Sequence, residues 1–494
     1  MKPIADLHCH PTMHPFAYKE ANKKRKNNMW WDNPPKKCQR KSGFPEYFQT
    51  SIPALIRGNV RLVLASLYPL EQAWLNPKFL GTGVVSDIIA KQVVSHLPVR
   101  YINKVQSSTF NYFEYLNKEY QFLTEGSNKP HPYKGDKWKY IVATDASDVE
   151  EAKDDEHTIV YVPTIEGSHA LVSGNAKQLI DDPVVHQSTL NNIAEVKKWA
   201  HPPMYITLAH HFYNGMVGQA RSIPDGVAST VLHQQVGLNL PVNERGEKVI
   251  DCLLGINEFE GNGRRILIDT KHMSISARIW YYQKISEYNN EKSDADKIPI
   301  IASHMGYGNH KSMLDSIEIP DEDKNKYEKS KEFNPWSINL SDEEIKMIFK
   351  SGGIIGVNLD QRILSGDDVI DESKDFKRSD IRNNRANVVK FWTEQFAKNV
   401  LAIVQAVHSN EDIEEAEKAS VWDCISLGTD FDGMINPVDA FIVSDELPKL
   451  REALADYLPT VDLFNQLRGS LGVEEILDKL MYDNVYDFVI KHYH

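Results

Sequence analysis

The chain has 494 residues, 41% hydrophobic and 25% charged, enough for one large globular domain with insertions or for two or three average ones. Its formal charge of −13 argues against nucleic acid or an anionic membrane surface as partner. No apolar run approaches the roughly 18–20 residues of a membrane span, and the four cysteines (Cys9, Cys38, Cys252, Cys424) lack any Cys-x-x-Cys spacing, which excludes a disulfide framework or zinc knuckle as the organising device.

The first element is Ile4-Ala5-Asp6-Leu7-His8-Cys9-His10, an apolar strand ending in His-x-His. Side chains at i and i+2 of a strand share a face, with a rise of about 3.3 Å per residue. His8 and His10 can therefore lean onto one metal ion while Cys9 points into packing. Ligands this early leave no room for a signal peptide, so a cytoplasmic location is expected. Residues 11–50 are irregular, basic at Lys23–Lys26 and Lys36-Lys37, and carry Trp30-Trp31. That is too long for an ordinary connection and reads as a lid-like loop, with Trp30 and Trp31 available to stack on a substrate.

Seven further apolar runs alternate with helical patterns: Arg61–Tyr68, Thr158–Glu166, Met204–His210, Arg265–His272, Ile298–His304, Gly352–Leu359 and Cys424–Phe431. Near-continuous apolar strands separated by helices indicate a parallel sheet buried on both faces. Eight such units predict a single (β/α)8 TIM barrel over residues 1–494. A doubly wound open sheet is the alternative, but no glycine-rich phosphate fingerprint follows any strand. The charged stretches within 305–340 and 360–385 follow the sixth and seventh strands and are expected to enlarge loops on the active-site face. Val473–Val489 has helical spacing and is expected to close the outer ring.

Barrel enzymes build their sites at the C-terminal ends of the strands. Here those ends carry His8 and His10, Glu166, His210, His272, His304 and Asp430. Imidazoles and carboxylates without thiolate fit Zn²⁺ best, with Mn²⁺, Fe²⁺ or Co²⁺ admitted. Four histidines and one carboxylate exceed what a single open catalytic zinc needs. They suit two divalent ions about 3.5–4 Å apart, bridged by one carboxylate. Glu166 is the expected bridge, with His8 and His10 completing one ion and His272 and His304 the other. A bridging water on such a pair has its pKa lowered toward roughly 7. Asp430 is placed to orient that hydroxide, take its proton and pass it to a leaving nitrogen. Asp432, beyond the strand end, is expected to hold the loop instead.

His-x-His after the first strand, His after the fifth and sixth, and Asp after the eighth resemble the amidohydrolase superfamily. Many of its members bridge their metals with a carbamylated lysine. Here Ile165-Glu166-Gly167-Ser168-His169 is similar to the Glu-Gly-Gly-His segment of the renal (membrane) dipeptidase family. Tyr205–His210, Leu267–Ser274, Ala302–His304, Gly352–Asn358 and Gly428–Gly433 are similar to the same family, so the resemblance runs from Ile4 to Val489 apart from the insertions. It implies a barrel without a separate β-sandwich domain, two metal ions on the ligand sets given above, and a small amide or peptide substrate. It also implies His210 polarising the substrate's carbonyl, Asp430 as proton carrier, and a homodimer.

The chain departs from the family at three places. The first motif has His10 where the family has Asp, His211 stands where it has Asn, and Ile338 stands where an arginine grips the substrate's terminal carboxylate. An isoleucine offers only apolar contact, so free dipeptides are expected to be poor substrates and a bulkier or uncharged amide a better one. Lys311 and Arg362 are the candidates for a replacement cation. The leading expectation is a binuclear metal hydrolase of amide or peptide bonds. Lactone or ester cleavage at the same site is one alternative. A metal-binding protein without turnover is the other, though it would have no use for Asp430.

Overall fold

Each of the eight apolar runs supplies a strand of one sheet in the computed structural model, which describes residues 2–22, 27–35, 47–75, 97–179, 183–223, 234–293, 296–317, 331–377, 380–381 and 385–494. Cys38, the basic residues Lys23–Lys26 and Lys36-Lys37, and 318–330 of the inserted segment lie outside the described residues. In chain order the strands are β1 (Ile4–Cys9), β2 (Val60–Leu67), β3 (His131–Tyr133), β4 (Asp136–Val142), β5 (Thr158–Glu166), β6 (Tyr205–Thr207), β7 (Leu267–Asp269), β8 (Ile301–Met305), β9 (Ile354–Val357) and β10 (Ile425–Leu427). Hydrogen bonding runs β1-β2-β5-β6-β7-β8-β9-β10, all parallel.

The sheet closes on itself where its ends meet. Asp430 N donates to His8 O and His10 N to Phe431 O, both at 2.9 Å. Asp6 reinforces this seam, accepting from Thr429 N at 2.9 Å and Thr429 Oγ1 at 2.6 Å. The fold is a (β/α)8 barrel. Every residue of β1 and β5 is buried, because side chains fill one face and helices cover the other. Cys9 lies in that core. The C-terminal helical run spans Val473–Asp478, a π turn at Lys479–Asp483, and Asn484–His492, and it packs over β1 and β10. No helix among the described residues is long and apolar enough to cross a membrane.

The β3–β4 hairpin was not anticipated. Its turn is made by Lys134 (φ 50°) and Gly135 (φ 99°), both central residues at positive φ, as a type I′ hairpin loop requires. β4 then lies parallel to β5, Lys139 beside Thr158 through Val142 beside Tyr161.

The segment after β1 is less irregular than expected. It holds a helix, Met13–Glu20, and is tied down at Asp32, which receives Arg57 Nη1 at 2.7 Å and Ser51 Oγ at 2.9 Å. The segment after β8 is held by Arg278. This fully buried guanidinium pairs with Glu344 at 2.9 Å and donates to the carbonyls of Ser337 and Asn339.

Glu119, on the helix Tyr112–Glu125, is a buried carboxyl that accepts from Thr12 Oγ1 at 2.6 Å and Tyr68 N at 3.0 Å. Burial outweighs those donors and raises it from 4.5 to about 7. The folded chain therefore holds the extra proton between these values. This contribution to stability is complete below about 4.5 and lost as pH rises through about 7. The shift is worth about 3 kcal/mol. Glu119→Gln keeps the shape and removes the charge. Thermal melts should show the variant more stable than wild type at pH 8 and equal to it near pH 4.5; a lower melting temperature at pH 8 would show that the carboxylate is needed.

Candidate metal centre

The site is built around Glu166, the last residue of β5, whose side chain is buried in the barrel mouth. Imidazoles arrive from four neighbouring strand ends. His10 Nε2 lies 3.0 Å and His210 Nε2 3.4 Å from Glu166 Oε2. His8 Nε2 lies 3.4 Å, and His272 and His304 Nε2 each 3.6 Å, from Oε1. Two overlapping groups have their donor atoms close enough to share a cation: His8, His10 and Glu166, and Glu166, His272 and His304. A third group joins His8, His304 and Asp430.

The donor set fits divalent cations on its own evidence. His8 and His10 point their Nε2 atoms at each other across 3.2 Å. At that range the two rings need a positive charge between them, which a metal ion, or in its place a proton on His10, would supply. Glu166 Oε1 and His304 Nε2 are buried without a hydrogen-bond partner among the described residues, which is costly for polar atoms that no ligand engages. The outer ring nitrogens explain why the inner ones carry lone pairs. Tyr205 donates its hydroxyl proton to Leu7 O at 2.6 Å, so it accepts from His8 Nδ1 at 3.1 Å. Ser303 donates to Asp269 at 2.6 Å, so it accepts from His304 Nδ1 at 2.7 Å. Fixing the tautomer through the outer nitrogen is how metal-binding histidines are oriented.

Electrostatics agree. Burial alone would raise Glu166, but the surrounding imidazoles of His210, His10 and His8 hold it well below the usual carboxylate range. Burial opposes charge on His10, yet Glu166 and Asp430 outweigh it and lift His10 to about 10. Burial and neighbouring positive groups push His272 and His304 well down, so both are neutral donors. Asp430 lies 3.5 Å from His10 and 3.8 Å from His304. Its carboxyl is raised, by burial first and then by Glu166, against the pull of His10. A carboxyl so raised sits closer to the pKa that suits proton transfer near neutrality.

The backbone at two of these residues is unusual. His272 (φ 65°) and Asp430 (φ 58°) are both left-handed, a conformation that non-glycine residues seldom adopt away from turns and functional sites. A Cβ at Gly433 would fall 2.0 Å from Asp430 Oδ1, so glycine there leaves the carboxylate room. Asp432 accepts from Gln49 N, Thr50 N and Thr50 Oγ1, holding the loop as its position suggested.

His8, His10, Glu166, His210, His272, His304 and Asp430 are thus brought together. Trp30 is not among them: its ring stacks on His131 of β3 at 4.1 Å. Trp31 keeps its indole Nε1 buried. Neither expected replacement cation is free, because Lys311 pairs with Asp342 at 2.6 Å while mostly exposed, and Arg362 is clamped on Asp360. Ile338 is buried with Ala220 and Ile363 against Trp336.

The sequence reading missed Glu71, which receives His210 Nδ1 at 2.6 Å and Phe212 N at 3.2 Å. It also missed Tyr205, Ser303 and Asp269, which orient ligands, and Lys271, whose buried ammonium has no hydrogen-bond partner among the described residues.

No family model matches the chain, and no curated protein does. Solved structures resemble it in outline. A metallopeptidase described as dipeptidase AC aligns over 100% of this chain and 99% of its own, at 14% identity and a TM-score of 0.47. A metallopeptidase from Rhodobacter sphaeroides, liganded with a phosphinate mimic of the dipeptide L-Ala-D-Ala, aligns over the same shares at 13% identity and a TM-score of 0.47. The probable dipeptidase PvdM from Pseudomonas aeruginosa covers 97% of this chain and 98% of its own, at 13% identity and a TM-score of 0.43. Likeness at this level carries no argument about chemistry, which rests on the side chains around Glu166.

Proposed function

We propose that the protein is a binuclear metal-dependent hydrolase that cleaves an amide or peptide bond of a small, dipeptide-like substrate. The supporting observation is one buried carboxylate ringed by the imidazoles of His8, His10, His210, His272 and His304, with the raised carboxyl of Asp430 beside it. In this reading His8, His10 and Glu166 hold one divalent cation, and Glu166, His272 and His304 hold a second, with Zn²⁺ the best match to the donors. When bound, the pair supplies Lewis acidity and makes a water acidic enough to deprotonate near neutral pH.

The chain's own groups do the rest. Asp430 accepts that proton on a carboxylate oxygen and delivers it to the leaving nitrogen. Glu71 accepts from His210 Nδ1 and fixes the ring's orientation, and burial pushes His210 down to about 4, so the ring positions the substrate as a neutral imidazole.

Purified protein reconstituted with excess Zn²⁺ should hold two ions per chain by elemental analysis. It should cleave members of a panel of dipeptides and N-acyl amino acids, lose that activity to a chelator, and regain it with Zn²⁺. One ion or none, or hydrolysis of lactones alone, would overturn the reading.

A further inference from the structure

A second opening lies at the other end of the barrel. It is a cavity of about 800 Å³ bordered by Lys297, Gly352, Gly353, Asp423 and Cys424, which precede β8, β9 and β10, and by the last helix, Asn484–His492. The candidate metal ligands stand at the C-terminal ends of the strands, and none of them lines it. Its volume is in the range of small-molecule sites. Lys350 ends the helix Asp342–Lys350, and Lys491 lies in the last turn of Asn484–His492. Lys491 reaches over Gly352, where a Cβ would fall 3.8 Å from Nζ. Neither ammonium has a hydrogen bond or ion pair among the described residues. Helix C-termini favour cations, but these terminal carbonyls already have partners. Gly352 N donates to Phe349 O and Gly353 N to Ile348 O, both at 3.0 Å, and Tyr493 N to Val489 O at 2.9 Å.

His492 also lines the cavity, its ring 4.7 Å from that of Phe488. Its Nε2 is buried with no hydrogen-bond partner among the described residues. Burial, then Lys491, His494 and Arg265, push this imidazole down to about 3, so it is neutral and the charges acting on it are cationic. Solvated surface lysines do not account for an orphaned ring nitrogen, which is costly unless something engages it. Of the carboxylates in the lining, Asp423 is neutralised by Lys479 at 2.7 Å, and Glu417 and Asp487 are exposed. We propose that this cavity is a second ligand site, for a small organic monoanion with an aromatic or acyl body. Lys350 and Lys491 supply charge-assisted bonds to its carboxylate, and the N–H tautomer at His492 Nε2 supplies a hydrogen bond. Phe349 and Phe488 offer contact to its apolar part. Glu417 and Asp487 disfavour a second negative charge, which selects against a phosphate dianion.

The test titrates the full-length protein with benzoate, benzamide and benzylamine, followed by saturation-transfer difference NMR. Benzoate should bind at least tenfold tighter than the neutral amide or the cationic amine. Lys491→Glu and Lys350→Glu, both at exposed positions, should each weaken benzoate at least tenfold, with circular dichroism unchanged. His492→Phe keeps the ring against Phe488 and should weaken benzoate about threefold. Benzoate can also reach a metal ion, so Glu166→Ala is the control for the other end of the barrel, and it should bind benzoate as wild type does. Equal binding of acid and amide, preference for the amine, or no binding of any of the three would overturn the proposal. So would benzoate binding that survives both lysine substitutions, or that is lost with Glu166→Ala in a folded protein, since either places the anion at the metal centre.

Discussion

Glu166→Ala is expected to release at least one of two bound zinc ions and to abolish detectable amide hydrolysis. The same carboxylate lies 3.0–3.6 Å from five imidazole nitrogens. Removing it withdraws the negative charge from both candidate ligand groups at once, leaving each with two imidazoles alone. The pair His8 and His10 would then face each other with only Asp430, 3.5 Å from His10, to favour a cation between them. Glu166→Gln separates shape from charge, since it preserves volume and should still lose affinity. Elemental analysis beside far-ultraviolet circular dichroism distinguishes metal loss from unfolding. A folded Glu166→Ala protein that still holds two ions per chain would end the bridging interpretation.

Asp430→Asn should separate binding from chemistry. Loss of a general base typically costs about 10²–10⁴ in rate. Asparagine is the right substitute because Asp430 sits at φ 58°, a conformation asparagine tolerates better than most residues. The seam bond from Asp430 N to His8 O is also unaffected, being a backbone contact. Asp430 lies close enough to His8 and His304 to act as a ligand, so zinc content must be measured with kcat. The expected result is two zinc ions retained with kcat reduced by that factor. Wild-type kcat would exclude Asp430 as proton carrier, and loss of zinc would reassign it as a ligand.

Much of this was legible because parallel strands buried on both faces write themselves as unbroken apolar runs. Glu166 and His304 fall inside such runs and are strand residues in the structure. His210, His272 and Asp430 belong to runs that outlast their strands: β6, β7 and β10 each stop three residues earlier, and the chain turns before delivering the side chain. The hairpin at 131–142 was hidden by its short first strand and its polar edge. The hydroxyls and carboxyls that orient the rings (Tyr205, Ser303, Asp269, Glu71) were not legible, because a hydrogen bond between remote positions leaves no spacing in sequence. Lys271 sits beside a candidate ligand in plain view, but only the three-dimensional structure shows that its side chain is buried.

The seam between β1 and β10 sets a schedule for the living chain. Asp6 and Thr429, which hold it together, are 423 positions apart. At the roughly 5–20 residues per second of ribosomal synthesis, about 20–80 s separate their appearance. Throughout that interval the nascent polypeptide carries His8 and His10 with no Asp430 beside them, and the last side of the cage has not been made. The last side of the cage is therefore made only when the ribosome delivers the eighth barrel strand, so the ring of strands is joined late in synthesis.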